Sequence, residues 1–270
     1  MVQVAVAQFA PGQDKAENLR SVARLAARGA ALGARVVLLP EYTMFTASRT
    51  DHRYVEAAEP LDGAFVSAAA DTARREGVHL VLGVNERTGD GTHFTNTLVA
   101  LSPAGERVAL YRKIHLYDAF GVRESDVVAA GPVEKPETFT VDDVTFGLQT
   151  CYDLRFPEIT RRIVDAGAHV VLLAAQWVPG PLKEEHWRTL ARARAVENTV
   201  YVAAAGQSAP TGAGNSMVID PMGTPIAALG EQTFEVAVAE VSAVRVEEVR
   251  MVNPALEMRR FSVIARDRSL

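Results

Sequence analysis

The 270-residue chain has a single cysteine. One thiol excludes an internal disulfide and fits a reducing compartment. No stretch approaches the ~20 apolar residues of a membrane span, so no membrane partner is expected. An excess of positive charge is also missing: 28 Lys and Arg stand against 33 Asp and Glu, a net charge of −5. That balance argues against a nucleic-acid surface, which shows a basic stripe. The six histidines are scattered, with no HExxH or paired CxxC, so neither a metal nor a cofactor is expected. TGAGNS (211–216) does not have the form of a phosphate loop. The opening MVQVAVAQFAPGQDK carries no basic leader, and a cytoplasmic protein is expected. Linkers, low-complexity tracts and internal repeats are absent, which reads as one domain over 1–270 with a charge-rich C-terminal arm from about 244 to 270.

What is present is ordinary globular material, 48% hydrophobic and 23% charged. A chain of this length buries roughly 70–75% of its unfolded surface and needs no covalent staple. Its elements alternate. Val2–Phe9 has the period of a strand, and Asp14–Ala31 carries Leu19, Val22, Leu25 and Ala26 at helical spacing, with Asp14 and Glu17 placed like a capping box. RVVLL (35–39) reads as a strand buried on both faces. A helix over about 64–76 precedes three antiparallel segments, 79–87, 95–101 and 107–111, separated by turn signals. Strand 144–150, helix 157–166, strand 170–174, helix 183–197 and strand 200–205 follow, then strands at 216–219, 225–228 and 234–240. Helices alternating with strands around hairpins predict an α/β layered sandwich with a mixed sheet.

Three reactive side chains fall just past strand ends. Glu41 follows RVVLLP, Lys113 closely follows the strand ending at Tyr111, and Cys151 directly follows 144–150. Open α/β sheets gather their ligands at the carboxyl edge, so groups distant in sequence can share one crevice. The types suit one chemistry. A thiol with a pKa near ~8.5 is mostly protonated at neutral pH and needs a base, which Glu41 would supply. Attack on a carbonyl or nitrile builds negative charge. A fixed cation, Lys113, and the backbone N–H of Tyr152 in the turn after Cys151 would stabilise it, each donor being worth on the order of 10²–10³ in rate. A sharp strand-to-helix turn at the nucleophile follows the logic of a nucleophile elbow.

LPEY (39–42), YRKIHLYD (111–118) and CYDLRFPE (151–158) resemble, in order and spacing, the three signature blocks of the nitrilase superfamily of carbon–nitrogen hydrolases. VAVAQFAP (4–11), HWRTLARARAVENTVYV (186–202) and NPALEMRR (253–260) extend the resemblance over nearly the whole chain. Within the superfamily the sequence is most similar to the amidase branch that includes ω-amidase and the Nit-type deaminated-glutathione amidases. The resemblance implies a single αββα sandwich, a homodimer or larger oligomer, and a small-molecule amide as partner. It assigns Glu41 as general base, Lys113 as oxyanion cation and Cys151 as nucleophile. Glu124, in FGVRESDVVAAG (120–131), takes the place of the family's second glutamate and would position Lys113. The implied reaction is hydrolysis of a small carboxylate-bearing amide to acid and ammonia through a thioester. An N-carbamoyl substrate is the alternative, and nitrile hydrolysis a lesser one.

The segment from Lys113 to Glu124 is shorter than in ω-amidases, and AAQWVPGPL (174–182) departs from the family's usual Pro-Ser/Gly-Ala-Phe stretch. Both departures bear on the substrate. Arg155 has two readings: pairing with Asp153 to pin the turn, or gripping a substrate carboxylate bidentately. Gln176 and Trp177 are read as substrate-binding, and for Trp177 a core position is the other reading. His115 and His186 are expected to be structural, and Arg192 and Arg194 to pair with acids. Two competing classes are a non-catalytic binding protein on the same fold and a thiol redox protein. The Glu41, Lys113 and Cys151 set opposes the first. The missing resolving cysteine opposes the second.

Overall fold

The computed structural model describes residues 1–265, so the last five residues of the predicted arm lie outside the described residues. The strands and helices, in chain order, are β1 (Val2–Phe9), α1 (Lys15–Ala31), β2 (Val36–Leu38), α2 (His52–Ala57), α3 (Ala64–Glu76), β3 (His79–Arg87), β4 (Phe94–Leu101), β5 (Arg107–Arg112), β6 (Thr138–Val141), β7 (Val144–Thr150), α4 (Pro157–Asp165), β8 (Val170–Ala175), α5 (Lys183–Asn198), β9 (Tyr201–Gly206), β10 (Met217–Ile219), β11 (Pro225–Ala228), β12 (Phe234–Val241) and α6 (Ala243–Val252). Short 3₁₀ turns cover Glu124–Asp126 and Cys151–Arg155.

Local chemistry sets the helix ends. Asp14 caps α1 by accepting from the N–H groups of Ala16 and Glu17, and Gly77 ends α3 in the left-handed conformation at φ 67°. The expected capping box is half made, because the Glu17 carboxylate turns to Arg20 instead of back to the cap. Pro157 opens α4, where its missing N–H costs nothing.

Two six-stranded mixed sheets form, in the orders β12-β1-β2-β3-β4-β5 and β11-β10-β9-β8-β7-β6. In the first, β1, β2 and β3 run parallel through helical crossovers. In the second, β7, β8 and β9 do the same. Strand alternation sorts the side chains. Val4 and Val6 of β1, with Val36 and Leu38 of β2, point into the core shared with the second sheet. Ala5, Ala7, Val37 and Leu39 pack on the other face with Val22 and Leu25 of α1 and Phe65 and Ala69 of α3. Ile159 and Ile163 of α4, with Trp187 and Ala191 of α5, cover the second sheet. The result is the four-layer αββα sandwich.

Three elements escape sequence reading. Helix α2 is a single short turn capped by Asp51, β6 is a four-residue edge strand, and the arm begins as helix α6 capped by Ser242. None has a length or periodicity that stands out from a polar loop.

Candidate active site

The topology brings the three strand ends together across the sandwich, Glu41 and Lys113 from the first sheet and Cys151 from the second. β4 is antiparallel to both β3 and β5, so β5 runs with the parallel strands and delivers Lys113 to their carboxyl side. The Lys113 N–H donates to the Asn96 carbonyl of β4 at 2.9 Å, which anchors its backbone. Glu41 leaves β2 through Pro40 and lies directly against Gly83 of β3. A Cβ at Gly83 would sit 2.5 Å from the Tyr42 nitrogen and 2.8 Å from the Glu41 Cα. Only glycine lets the two backbones approach this closely. Gln207, just past β9, donates through Nε2 to the Glu41 carbonyl at 2.8 Å and to Thr46 Oγ1 at 2.9 Å. Cys151 opens the turn after β7 at φ 45°. A non-glycine residue there carries roughly 1–2 kcal/mol of local strain, as at nucleophile elbows.

The candidate groups form one buried cluster. Cys151 is 7% exposed, Glu41 1%, Lys113 2% and Glu124 3%, so each charge needs a partner inside the protein. Lys113 Nζ donates to Glu41 Oε1 at 3.0 Å and to Glu124 Oε1 and Oε2 at 3.0 and 2.9 Å. An ammonium has three N–H groups, and these contacts engage all of them. Glu124 also accepts from the Tyr42 hydroxyl at 2.5 Å and the Tyr117 N–H at 2.6 Å. Asn96 Nδ2 donates to Glu41 Oε1 at 2.7 Å, and the Gln176 N–H donates to Glu41 Oε2 at 2.6 Å. Cys151 Sγ points to the Gln176 carbonyl at 3.6 Å.

Burial pushes the Cys151 thiol well above the ordinary thiol range, the negative charge of Glu41 adds to the rise, and Lys113 offsets only part of it. Cys151 is therefore a neutral thiol at rest. Burial would lower Lys113, yet the charges of Glu124 and Glu41 outweigh it and hold the ammonium well above its usual range. Burial would raise Glu124, and the Lys113 charge with hydrogen bonds from Tyr42, Lys113 and Tyr117 holds it below the carboxylate range. The site thus pairs a fixed cation with a thiol that ionises only when its proton has somewhere to go.

A cavity of about 750 Å³ opens on Glu41, Lys113, Glu124 and Cys151, and the exposed Arg49 and Arg123 also line it. A cleft of about 20 Å³ beside it is lined by Cys151, Tyr117, Arg155, Trp177 and Lys183. Tyr152 also lines that cleft, and its N–H belongs to the first turn of the 3₁₀ segment, where backbone donors lack intrahelical acceptors.

Some expected contacts are not made. Asp153 does not pair with Arg155. It is consumed by the Tyr111 hydroxyl at 2.6 Å and by the N–H and Nδ1 of His115 at 3.0 and 2.7 Å. His115 is thereby held on the turn and stacks on Phe156. Arg155 instead lies with Cζ 4.9 Å from the centre of the Trp177 ring. Trp177 is buried at 4% exposure, its Nε1 donates to the Lys183 carbonyl at 2.7 Å, and it lines the cleft. Gln176 acts on the network through its backbone. Arg192 binds the Gly223 carbonyl rather than an acid. Arg194 binds the Leu154 carbonyl as well as Glu197. Asn96, Tyr42, Gln207 and Lys183 were missed. Gln207 had a signal, since it too follows a strand end, whereas Asn96 lies between Thr95 and Thr97 in β4 and nothing in the sequence singles it out. Among the described residues no group of three or more His, Cys, Asp or Glu side chains is arranged to hold a metal ion. No helix among them is long and apolar enough to cross a membrane.

A four-layer αββα sandwich in which a glutamate and a lysine from one sheet meet a cysteine from the other defines hydrolases of non-peptide carbon–nitrogen bonds. The chain belongs to that family: the Carbon-nitrogen hydrolase model matches residues 3–251. It is 40% identical over 262 residues to the deaminated glutathione amidase of Escherichia coli O157:H7, covering 96% of this chain and 97% of that protein. Among solved structures, Nit3 of Saccharomyces cerevisiae, of the nitrilase superfamily, has a TM-score of 0.84 at 29% identity over 96% of this chain and 97% of that one. A glutamate-to-glutamine mutant of the amidase from Nesterenkonia sp. AN1, solved with the acetamide moiety of fluoroacetamide added covalently at its active-site cysteine, has a TM-score of 0.79 at 25% identity over 96% of this chain and 97% of that one. The resemblance read from the sequence blocks is borne out, and the protein is an amidase-type enzyme of the nitrilase superfamily.

Proposed function

We propose that the enzyme hydrolyses a small carboxylate-bearing amide to an acid and the released ammonia or amine, through a thioester on Cys151. The observation that carries this reading is the buried contact network joining Glu41, Lys113 and Glu124 beside the Cys151 thiol. In the first half, Sγ attacks the amide carbon and Glu41 takes the thiol proton. That transfer neutralises Glu41, weakens its hold on Lys113 and frees one N–H for the developing oxyanion, with the Tyr152 N–H as second donor. The C–N bond then breaks, and the proton passes from Glu41 to the departing nitrogen. In the second half, Glu41 accepts a proton from water as its oxygen attacks the thioester. The C–S bond breaks, the sulfur regains a proton, and the acid leaves. Glu124 holds Lys113 in place throughout.

The carboxylate is assigned to the acyl end because Arg155, free of Asp153, borders the same cleft as Cys151. Deaminated glutathione, which names the Escherichia coli relative, is an amide of this kind, with a peptide as its leaving group. The larger cavity offers room for such a group. The test is product release from a panel containing α-ketoglutaramate, succinamate, deaminated glutathione, N-carbamoyl-β-alanine, N-carbamoylputrescine and a simple nitrile, with the Cys151→Ala variant alongside. Turnover of a carboxylate-bearing amide that vanishes in the variant is expected. Turnover confined to a carbamoyl compound or a nitrile, or retained by the variant, would refute the proposal.

A further inference from the structure

Arg155 and Lys183 share two aromatic faces. The Arg155 Cζ lies 4.9 Å from the Trp177 ring centre and 5.8 Å from that of Phe120. The Lys183 Nζ lies 3.9 Å from the Phe120 centre and 5.9 Å from that of Trp177. Two cations are thus packed into one aromatic cleft that also contains Cys151. Their polar contacts are sparse. Lys183 Nζ donates to the Tyr117 hydroxyl at 2.8 Å, and Arg155 Nη2 meets His186 Nδ1 at 3.4 Å. Arg155 Nε is buried without a partner. Among the described residues no carboxylate forms an ion pair with either side chain, whereas Lys113, which lines the adjoining cavity with Cys151, is held by two.

Like charges confined against apolar rings repel, and the low local dielectric makes that repulsion larger than in water. Burial and the neighbouring positive charge of Arg155 both lower the Lys183 pKa, as expected for a cation lacking its anion. The fold nevertheless fixes the lysine there. Its N–H donates to the Gly180 carbonyl at 3.0 Å and its carbonyl accepts from Trp177 Nε1 at 2.7 Å. Phe120, which covers Lys183, is 68% exposed and belongs to the segment between Lys113 and Glu124, so its ring can swing away without disturbing the core.

Resting on the reading that the substrate is a carboxylate-bearing amide, we infer that Lys183 is a specificity-determining residue which, with Arg155, binds the carboxylate at the acyl end of that substrate. The planar Arg155 fork orients the carboxylate, and Lys183 supplies the second charge. The missing anion of the cleft is the substrate's own.

The test uses whichever carboxylate-bearing amide the wild-type enzyme turns over, together with its analogue bearing a methyl group in place of the acyl-end carboxylate (butanamide where the substrate is succinamate). The readout is the ratio of the two kcat/KM values, which is independent of the fraction of active protein. Lys183→Met should lower that ratio roughly 10–100-fold, the range of a charge-assisted hydrogen bond, mainly through KM for the acid. Lys183→Arg should restore it to within about threefold. A wild-type preference for the acid that survives in Lys183→Met would overturn the inference while leaving the proposed function intact. A wild-type enzyme with no preference for the acid, or with no turnover of a carboxylate-bearing amide, would overturn both.

Discussion

Replacing Glu124 with glutamine keeps the shape of the side chain and removes its charge. The carboxylate receives Lys113 on both oxygens, the Tyr42 hydroxyl on one and the Tyr117 N–H on the other. A glutamine amide has only one acceptor oxygen. With that oxygen facing the Tyr117 N–H, the NH₂ faces Lys113 and forces the Tyr42 hydroxyl to rotate and accept. Breaking a buried pair costs about 3–5 kcal/mol. Lys113 still has Glu41 at 3.0 Å, so the low end of that range, about 3 kcal/mol, applies. A chain of 270 residues unfolds with about 0.6 kcal/mol/K of entropy, so the loss corresponds to about 5 °C in Tm. The variant remains folded, but Glu41 is then the one carboxylate paired with Lys113, and kcat/KM should fall on the order of 10²-fold. The pH dependence provides a second check. Glu124 has a folded pKa below its unfolded value near ~4.3, so its contribution is complete above that pH and fades as pH falls toward the folded value. The Tm gap between wild type and variant should be full near pH 7 and close below about pH 4. Thermal unfolding followed by circular dichroism across that range, with initial rates at neutral pH, decides the matter. A gap under about 1 °C at neutral pH, or one that widens on acidification, would refute the reasoning.

Two further outcomes follow from the same geometry. Alkylation of Cys151 by iodoacetamide should accelerate with pH through and beyond the ordinary thiol range near ~8.5, because burial and Glu41 hold the thiol neutral; a rate that levels off below that range would show a preformed thiolate instead. Gly83→Ala should cost about 1–3 kcal/mol and most of the activity, since its Cβ would meet the Tyr42 nitrogen at 2.5 Å and displace Glu41; denaturant unfolding with activity measured in parallel checks it, and unchanged values for both would mean that β3 yields without moving Glu41.

Periodicity and punctuation determined most of the fold by themselves. Apolar runs bounded by Gly, Pro and Asp marked β1, β7, β11 and α3 to within a residue, because local sterics and burial set those limits before any tertiary contact exists. Glu41, Lys113 and Cys151 were legible for the same reason: each sits at a strand end, and strand ends converge in layered α/β sheets. Tertiary structure alone decided who pairs with whom. Asp153 and Arg155 are two residues apart, yet the aspartate turns to Tyr111 and His115 from another strand end while the arginine turns to Trp177. Asn96 reaches Glu41 across 55 positions, and Gln207 reaches it across 166. Lys183 is one charge among many in the sequence, and only the packing of α5 against the 117–124 segment places it on the same aromatic faces as Arg155. Backbone conformation is a local property that neighbouring residues encode, whereas the partner of a buried charge is set by whichever chain segments the packed core brings within hydrogen-bond reach.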